Sequence, residues 1–458
     1  MAKLWGGRFA KQTAQSVDEF TASIPFDQRL YAEDIAGSIA HARMLAKQGI
    51  IAQDEADRLV AGLTAIRAAI ERGEFEFRLE HEDIHMNIEA ALREKVGDVA
   101  GKLHTARSRN DQIALDMRLY VRRVIGEITV LIADLQAALL DLAERNEQVI
   151  LPGYTHTQRA QPVLLAHHLL AYFEMLERDK GRFADCCTRL NVCPLGAGAL
   201  AGTTFPIDRD FVARELGFAA PSRNSMDAVA DRDFVIEFLA AASLLMMHLS
   251  RLSEEIVLWS TAEFGFVTID DAYATGSSMM PQKKNAAVAE LTRGKTGRVY
   301  GHLLALLTTM KGLPLTYNQD LQEDKEGLFD AVDTITQALS IYAEMVRTLT
   351  VNRAAMARAA QGGFMTATDL ADYLARCGLP FRQAHEVVGR IVRYCVESGK
   401  ELSELTLAEM QEFSPLFDEG ALRVVTPEAA VAARDVYGGT APAQVQARLV
   451  EARQMLSR

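Results

Sequence analysis

The sequence predicts an all-α protein built around five long helices. Three observations carry that expectation. Ala, Leu, Glu and Arg dominate while glycine and proline number only 30 and 12, a bias toward helix over sheet. Apolar residues recur every three or four positions over very long stretches. No sustained alternation of apolar and polar residues, the mark of a half-buried strand, runs anywhere in the chain.

Taken in order, the first hundred or so residues read as shorter helical pieces joined by loops. From Asp111 to Asn146 the apolar positions Met117, Val121, Val124, Ile128, Leu131, Leu135, Leu139 and Leu142 form one stripe. Roughly 36 residues at 1.5 Å each make a rod of about 54 Å, which Pro152 and Gly153 end. Four further segments read the same way: Pro162 to Leu190, Met226 to Phe264, Ala286 to Lys311 and Leu321 to Val351. Five such rods side by side form a bundle, and their apolar surface predicts self-association through it. After Asn352 the helices shorten, with breaks at Gly362-Gly363, Gly378-Leu379-Pro380 and Ser414-Pro415. The stretch Asp418 to Pro442 reads as loop-rich and Ala443 to Leu456 as a last helix. The expected division is an N-terminal helical domain (1–109), a central long-helix bundle (110–361) and a small C-terminal helical domain (362–458).

The chain has 458 residues, of which 49% are apolar and 24% charged, and a formal net charge of −12. That balance argues against nucleic acid or an anionic membrane as a partner, since no run of Lys and Arg concentrates positive charge. The five cysteines, Cys186, Cys187, Cys193, Cys377 and Cys395, include no CxxC pair and fit neither a disulfide framework nor a zinc site. Reduced thiols imply a reducing compartment. The N-terminus lacks an apolar signal core, and the apolar stretch from Phe238 to Leu249 reads as too short to span a bilayer. A cytoplasmic location follows as the expectation.

The segment Gly276-Ser277-Ser278-Met279-Met280-Pro281-Gln282-Lys283-Lys284-Asn285 stands between two long helices. Small residues offer hinge freedom, Ser277 and Ser278 hydroxyls, and Lys283 and Lys284 cations; Asn285 suits a helix N-cap. A polar connection could have this composition, but a loop closing over a carboxylate-bearing substrate explains it better. The segment matches the GSSxMPxKxN signature of the fumarase/aspartase superfamily at every fixed position. Gly101-Lys102-Leu103-His104-Thr105-Ala106-Arg107-Ser108-Arg109-Asn110-Asp111-Gln112, Pro152-Gly153-Tyr154-Thr155-His156-Thr157-Gln158-Arg159-Ala160-Gln161-Pro162, Leu315 to Lys325 and Leu4-Trp5-Gly6-Gly7-Arg8-Phe9 narrow the resemblance. Over essentially its whole length the chain resembles the argininosuccinate lyase family.

The resemblance implies a three-domain fumarase/aspartase-like fold and reversible cleavage of argininosuccinate to arginine and fumarate by general acid–base chemistry, with no cofactor. No metal-ligand cluster is visible in the residue spacing. Ser277 corresponds to the family's base, Lys283 to the cation that stabilises the carbanion, and His156 to the histidine once assigned as acid. Glu290 is the expected partner that orients and charges His156. Arg109, Asn110, Thr155, Asn285 and Lys325 suit carboxylate binding, and Tyr317 and Gln322 can donate as well. Ser23 and Asp27 lie in a segment similar to one that contacts substrate, with Asp27 suited to a cationic end. His85 and Arg232 also qualify, though each reads equally well as a hydrogen-bonded interior residue. Met279 and Met280 read as packing residues of the closed loop. Gly196 to Gly202 lacks the GxGxxG order and reads as a tight loop near the site. The resemblance further implies a homotetramer with each active site built from several subunits. The rival readings are another fumarate-releasing lyase of the adenylosuccinate lyase type, against which the Gly101–Gln112 segment argues, and a non-catalytic crystallin-like relative, against which Ser277, His156 and Lys283 argue.

Overall fold

A computed structural model describes Lys11 and Thr13–Ser457; the Leu4–Phe9 segment lies outside the described residues. More than two-thirds of the chain is helical, and the described strands form three two-stranded sheets. The fold is all-α. The helices that matter for the site are α1 (Tyr31–Lys47), α2 (Gln53–Glu71), α3 (Ile84–Val96), α4 (Arg109–Glu144), α5 (Leu165–Leu190), α6 (Asp233–Trp259), α7 (Ala287–Met310) and α8 (Glu326–Thr348). The last five are the long helices expected from the apolar stripes.

The chain forms two compact units, each assembled from three separate stretches. One takes Met1–Thr129, Lys180–Leu244 and Gly297–Ile335; the other takes Val130–Asp179, Leu245–Thr296 and Thr336–Arg458. Every long helix therefore gives a segment to each unit.

In the first unit α1, α2 and α3 pack on one another. Gly37 on α1 lets that helix approach α4 closely, because a Cβ there would sit 2.6 Å from the Leu115 side chain. Asp83 caps α3 by accepting from the Met86 N–H, and Gly97 ends the helix at φ +70°, a left-handed value natural for glycine. Among the long-helix segments Tyr120 meets Phe329 with ring centroids 5.1 Å apart, and Phe183 meets Phe238 at 5.5 Å.

In the second unit Gln136 donates to the Phe173 carbonyl at 3.2 Å and Thr296 to that of Met246 at 3.2 Å. A separate apolar cluster around Leu370, Leu374, Val388, Ile391 and Phe417 holds the C-terminal helices together.

Three boundaries differ from the sequence expectation. The helix expected from Pro162 starts at Leu165, because Ile150–Thr155 and Gln158–Leu164 pair as an antiparallel hairpin. Pro152 and Pro162 face each other in its register, and a proline inside a helix would clash with the preceding turn. The Met226–Phe264 segment breaks into a short helix, Ser225–Ala230, and α6. By length and composition α6 could cross a membrane, more than the Phe238–Leu249 window suggested; most of its apolar stretch is buried inside the protein. Asp418–Pro442 contains two short helices, Glu419–Val424 and Pro427–Ala432.

Candidate active site

The first unit holds a polar cleft lined by Ser23, Glu82, Asp83, Arg109, Asn110, Tyr317, Gln322 and Lys325, with Thr21, Ile113 and Gln319 beside them. Six of the residues expected from sequence thus meet although they lie up to 302 positions apart (Ser23 to Lys325). Arg109 opens α4 and donates to Asp83 Oδ2 at 3.0 Å. Asp83 is also the N-cap of α3, so one carboxylate fixes two helix starts. The Ser23 and Ile24 N–H groups donate to the Glu82 carbonyl at 2.8 and 3.0 Å, which anchors the Ser23 segment at the rim.

Behind the cleft, Lys325 donates to Asp324 at 2.7 Å and Arg232 bonds the same carboxylate. All three side chains are buried. Burial works against the Asp324 charge, but Lys325 and Arg232 outweigh it and hold the carboxyl below its usual range. Arg232 does not line the cleft. It supports Lys325 through Asp324, and its Nη2 has no hydrogen-bond partner. Burial, then the Asp324 charge, push the Tyr317 phenol upward, which favours the neutral, donating form.

Asp27 also stands behind the surface. It accepts from Ser23 Oγ at 2.6 Å and from the Ile84 N–H at 3.1 Å. Burial raises its carboxyl to about 7 despite those bonds, and Asp83 adds to the rise. Asp27, expected to face a cationic group, is buried and does not line the cleft. His85 is likewise interior: its Nδ1 donates to Asp34 at 2.9 Å, and it does not line the cleft. His85 instead joins Glu89 and His104 in a group whose ligating atoms all lie within 4.8 Å of one another. The sequence spacing gave no sign of that group, because 14 residues lie between Glu89 and His104.

Sequence reasoning missed the brace at Asp111. Its Oδ2 accepts from the Gly196 and Gly198 N–H groups at 3.0 and 2.8 Å, and its Oδ1 from Ser108 N–H at 2.9 Å. The Gly196–Gly202 loop is thereby tied to the start of α4, beside Arg109 and Asn110. The signal was present in the crowding of glycines, which only a close backbone approach explains: a Cβ on Gly198 would stand 2.7 Å from the Gly202 carbonyl oxygen.

The second unit carries the other expected residues. The signature loop is pinched at its neck, where Thr275 and Asn285 exchange backbone hydrogen bonds at 3.2 and 2.8 Å. Asn285 Nδ2 donates to the Gly276 carbonyl at 3.3 Å, so its side chain closes the loop and does not cap α7. Ser277 Oγ accepts from the Met279 and Met280 N–H groups at 3.3 and 3.0 Å. The loop stands in solvent: Met279 is 86% exposed, and Met280 and Lys283 are also exposed. The expected packing of the two methionines is therefore absent in the single chain.

Thr155 and His156 lie at the tip of the Ile150–Leu164 hairpin, and not at a helix entry. His156 and Thr157 adopt φ +53° and +57°, the left-handed values a two-residue hairpin turn of type I′ needs at both central positions. Neither is glycine, so the turn holds strain of the kind found where a side chain must be presented. Glu290 sits in the first turn of α7 and is exposed. Among the described residues, the side chains of His156 and Glu290 form no hydrogen bond or ion pair, so the expected pairing is not made within the chain. A larger cleft in this unit, lined by Tyr154, His167, His168, Trp259 and Arg448 among others, includes none of the expected site residues.

Residues 7–301 match a family described as Lyase, and residues 364–432 match the argininosuccinate lyase C-terminal family. A crystal structure of EDDS lyase in complex with formate superposes with a TM-score of 0.85 at 31% identity, over 96% of this chain and 88% of that one. A 3-carboxy-cis,cis-muconate lactonizing enzyme from Pseudomonas putida shares the fold at a TM-score of 0.77 and 22% identity, over 97% of this chain and 100% of that one. The helical fold and the signature loop define a lyase of the fumarase/aspartase superfamily. The argininosuccinate lyase of Symbiobacterium thermophilum is 60% identical over 100% of this chain and 99% of its own length; that of Pelotomaculum thermopropionicum is 61% identical over 100% and 99%. The chain belongs to the argininosuccinate lyase family.

Proposed function

We infer that the protein catalyses the reversible β-elimination of argininosuccinate to arginine and fumarate, in arginine biosynthesis. The observation that carries the chemistry is the pair of backbone N–H groups on Ser277 Oγ. A serine hydroxyl is a poor base unless its alkoxide is stabilised, and aimed N–H dipoles supply that stabilisation best where water is excluded. Ser277 takes a proton from the carbon next to a substrate carboxylate. Lys283 stabilises the doubly charged carboxylate of the carbanion. The carbon–nitrogen bond then breaks, its electron pair goes to the guanidino nitrogen, and an acid protonates that nitrogen. His156, charged and oriented by Glu290, is the acid or positions it.

Arg109, Asn110, Ser23, Tyr317, Gln322 and Lys325 bind the polar ends of the substrate in the cleft; Thr155 and Asn285 add donors from the hairpin and the loop neck. Asp27, Arg232 and His85 support these residues from behind. The exposed loop and hairpin fit a site completed by other copies of the chain. Tyr300, Leu304 and Leu307 on α7 are 43%, 67% and 43% exposed and fall on one face at i, i+4 and i+7, a stripe suited to a homotetramer core. A C-terminal domain from residue 362 suits the match over residues 364–432, and reduced cysteines suit the cytoplasm.

Fumarate release, followed by absorbance with argininosuccinate and adenylosuccinate in parallel, tests the assignment. Turnover of argininosuccinate alone is expected. Turnover of adenylosuccinate alone would sink it, and absence of fumarate from either would favour a non-catalytic relative.

A further inference from the structure

We propose that His85, Glu89 and His104 form a binding site for a zinc-class divalent cation, separate from the substrate cleft. His85 and Glu89 stand one turn apart on α3, which places their side chains on one face. His104 ends the 3-10 segment Gly97–His104 that follows α3. His85 Nε2 lies 4.0 Å from Glu89 Oε2, and one ligating atom from each of the three residues falls within 4.8 Å of the others.

The second observation is an unsatisfied atom. His85 is buried, and its Nε2 has no hydrogen-bond partner. Buried polar atoms without partners are rare in folded proteins. The Nδ1 of the same ring donates to Asp34 Oδ2 at 2.9 Å. That bond fixes the tautomer and turns the free Nε2 lone pair toward Glu89 and His104. A carboxylate behind a ligating histidine is the usual outer support of a metal-bound imidazole.

The donor set selects the ion. Two imidazoles and one carboxylate suit zinc, nickel or copper, while magnesium and calcium prefer all-oxygen shells. Bonds of about 2.1 Å require the ligating atoms to draw together to roughly 3.4 Å. Glu89 is partly exposed and His104 exposed, so both have room to turn onto a metal held by the fixed His85. Arg107 opposes a cation here, but Asp34, Asp111, Glu89 and Asp116 all face Arg107 and offset its charge. None of the three ligands lines the substrate cleft.

The test uses the untagged full-length protein, stripped with chelator and titrated with zinc chloride by calorimetry. Wild type is expected to take up one zinc per chain and to melt at higher temperature when loaded. His104→Asn and Glu89→Gln change side chains with solvent access, so both variants should keep the wild-type circular dichroism. Each is expected to weaken zinc binding by about tenfold or more, and magnesium at equal concentration should show no uptake. Argininosuccinate cleavage should be retained by the chelator-stripped protein, which separates this proposal from the assignment of the reaction. Unchanged zinc affinity in both variants, as binding through the exposed Cys377 would give, overturns it. So does a wild type that takes up no zinc.

Discussion

Ser277 Oγ accepts the backbone N–H of Met280 at 3.0 Å, across a turn of its own loop. The bond makes the hydroxyl an acceptor in a preformed cradle before any substrate arrives. Replacing Ser277 by Ala should lower kcat by about 100- to 10,000-fold, the range for loss of a positioned base. Substrate affinity, measured by calorimetry, should hardly change, because the cleft donors remain. A variant that kept most of its kcat would remove Ser277 from the chemistry.

The buried Asp324 carboxylate balances both Lys325 and Arg232. Asp324→Asn leaves two buried cations with no anion between them and should cost about 3–5 kcal/mol of stability, read from denaturant unfolding. Its folded-state pKa lies below the ordinary value. The stability it contributes is therefore present above the unfolded pKa and is lost as pH falls through the depressed one.

Asp27 has the opposite sign. Its carboxyl is raised from 3.8 to about 7, so the folded state binds the proton more tightly than the unfolded chain. Its contribution is fully present below the unfolded value and declines as pH climbs toward about 7. Asp27→Asn should flatten that part of the stability profile measured from pH 4 to pH 8. An unaltered slope would show that Asp27 is ionised in the folded protein throughout.

At Gly198, φ is +61° and a Cβ would meet the Gly202 carbonyl oxygen at 2.7 Å. Gly198→Ala should therefore destabilise by about 1–3 kcal/mol and loosen the loop from Asp111. The expected signature is a lower denaturation midpoint together with a raised KM, since Arg109 and Asn110 share the helix start that Asp111 braces.

Leu304 is 67% exposed, so a charge there should change the stability of a lone chain by less than about 0.5 kcal/mol. If the α7 stripe is an assembly surface, Leu304→Lys should lower the mass seen by light scattering and the activity with it. Unchanged mass and activity would place the assembly surface elsewhere.

The long helices were legible because an unbroken apolar stripe on a rod has few other solutions. Met117 through Leu142 announced α4 to within a few residues. The hairpin was not legible: its strands carry prolines and polar residues in place of clean alternation, and only pairing with each other satisfies them. Motif matching found residues that line the cleft, such as Arg109 and Lys325, because they stand inside recognisable sequence segments. It offered Asp27 as a direct contact and left Arg232 open between contact and interior residue; both are buried and neither lines the cleft. It passed over Asp111 and Asp324, whose importance lies in which neighbours they hold, a relation that exists only after folding. The expected pairing of His156 with Glu290 is not made within the chain, where among the described residues neither side chain has a hydrogen-bond or ion-pair partner.

The braided order of the two units has a consequence for biosynthesis. The unit that begins at the N-terminus takes its last stretch from Gly297–Ile335, and the other needs residues beyond Thr336. A ribosome adds about 5–20 residues per second, so the opening segment waits tens of seconds for the pieces that complete its core. During that wait the apolar face of α4 stands without late partners such as Phe329, which Tyr120 meets. Completion of both units is in that sense a late event in translation, and the nascent form is a natural client for whatever shields apolar surface at the ribosome exit.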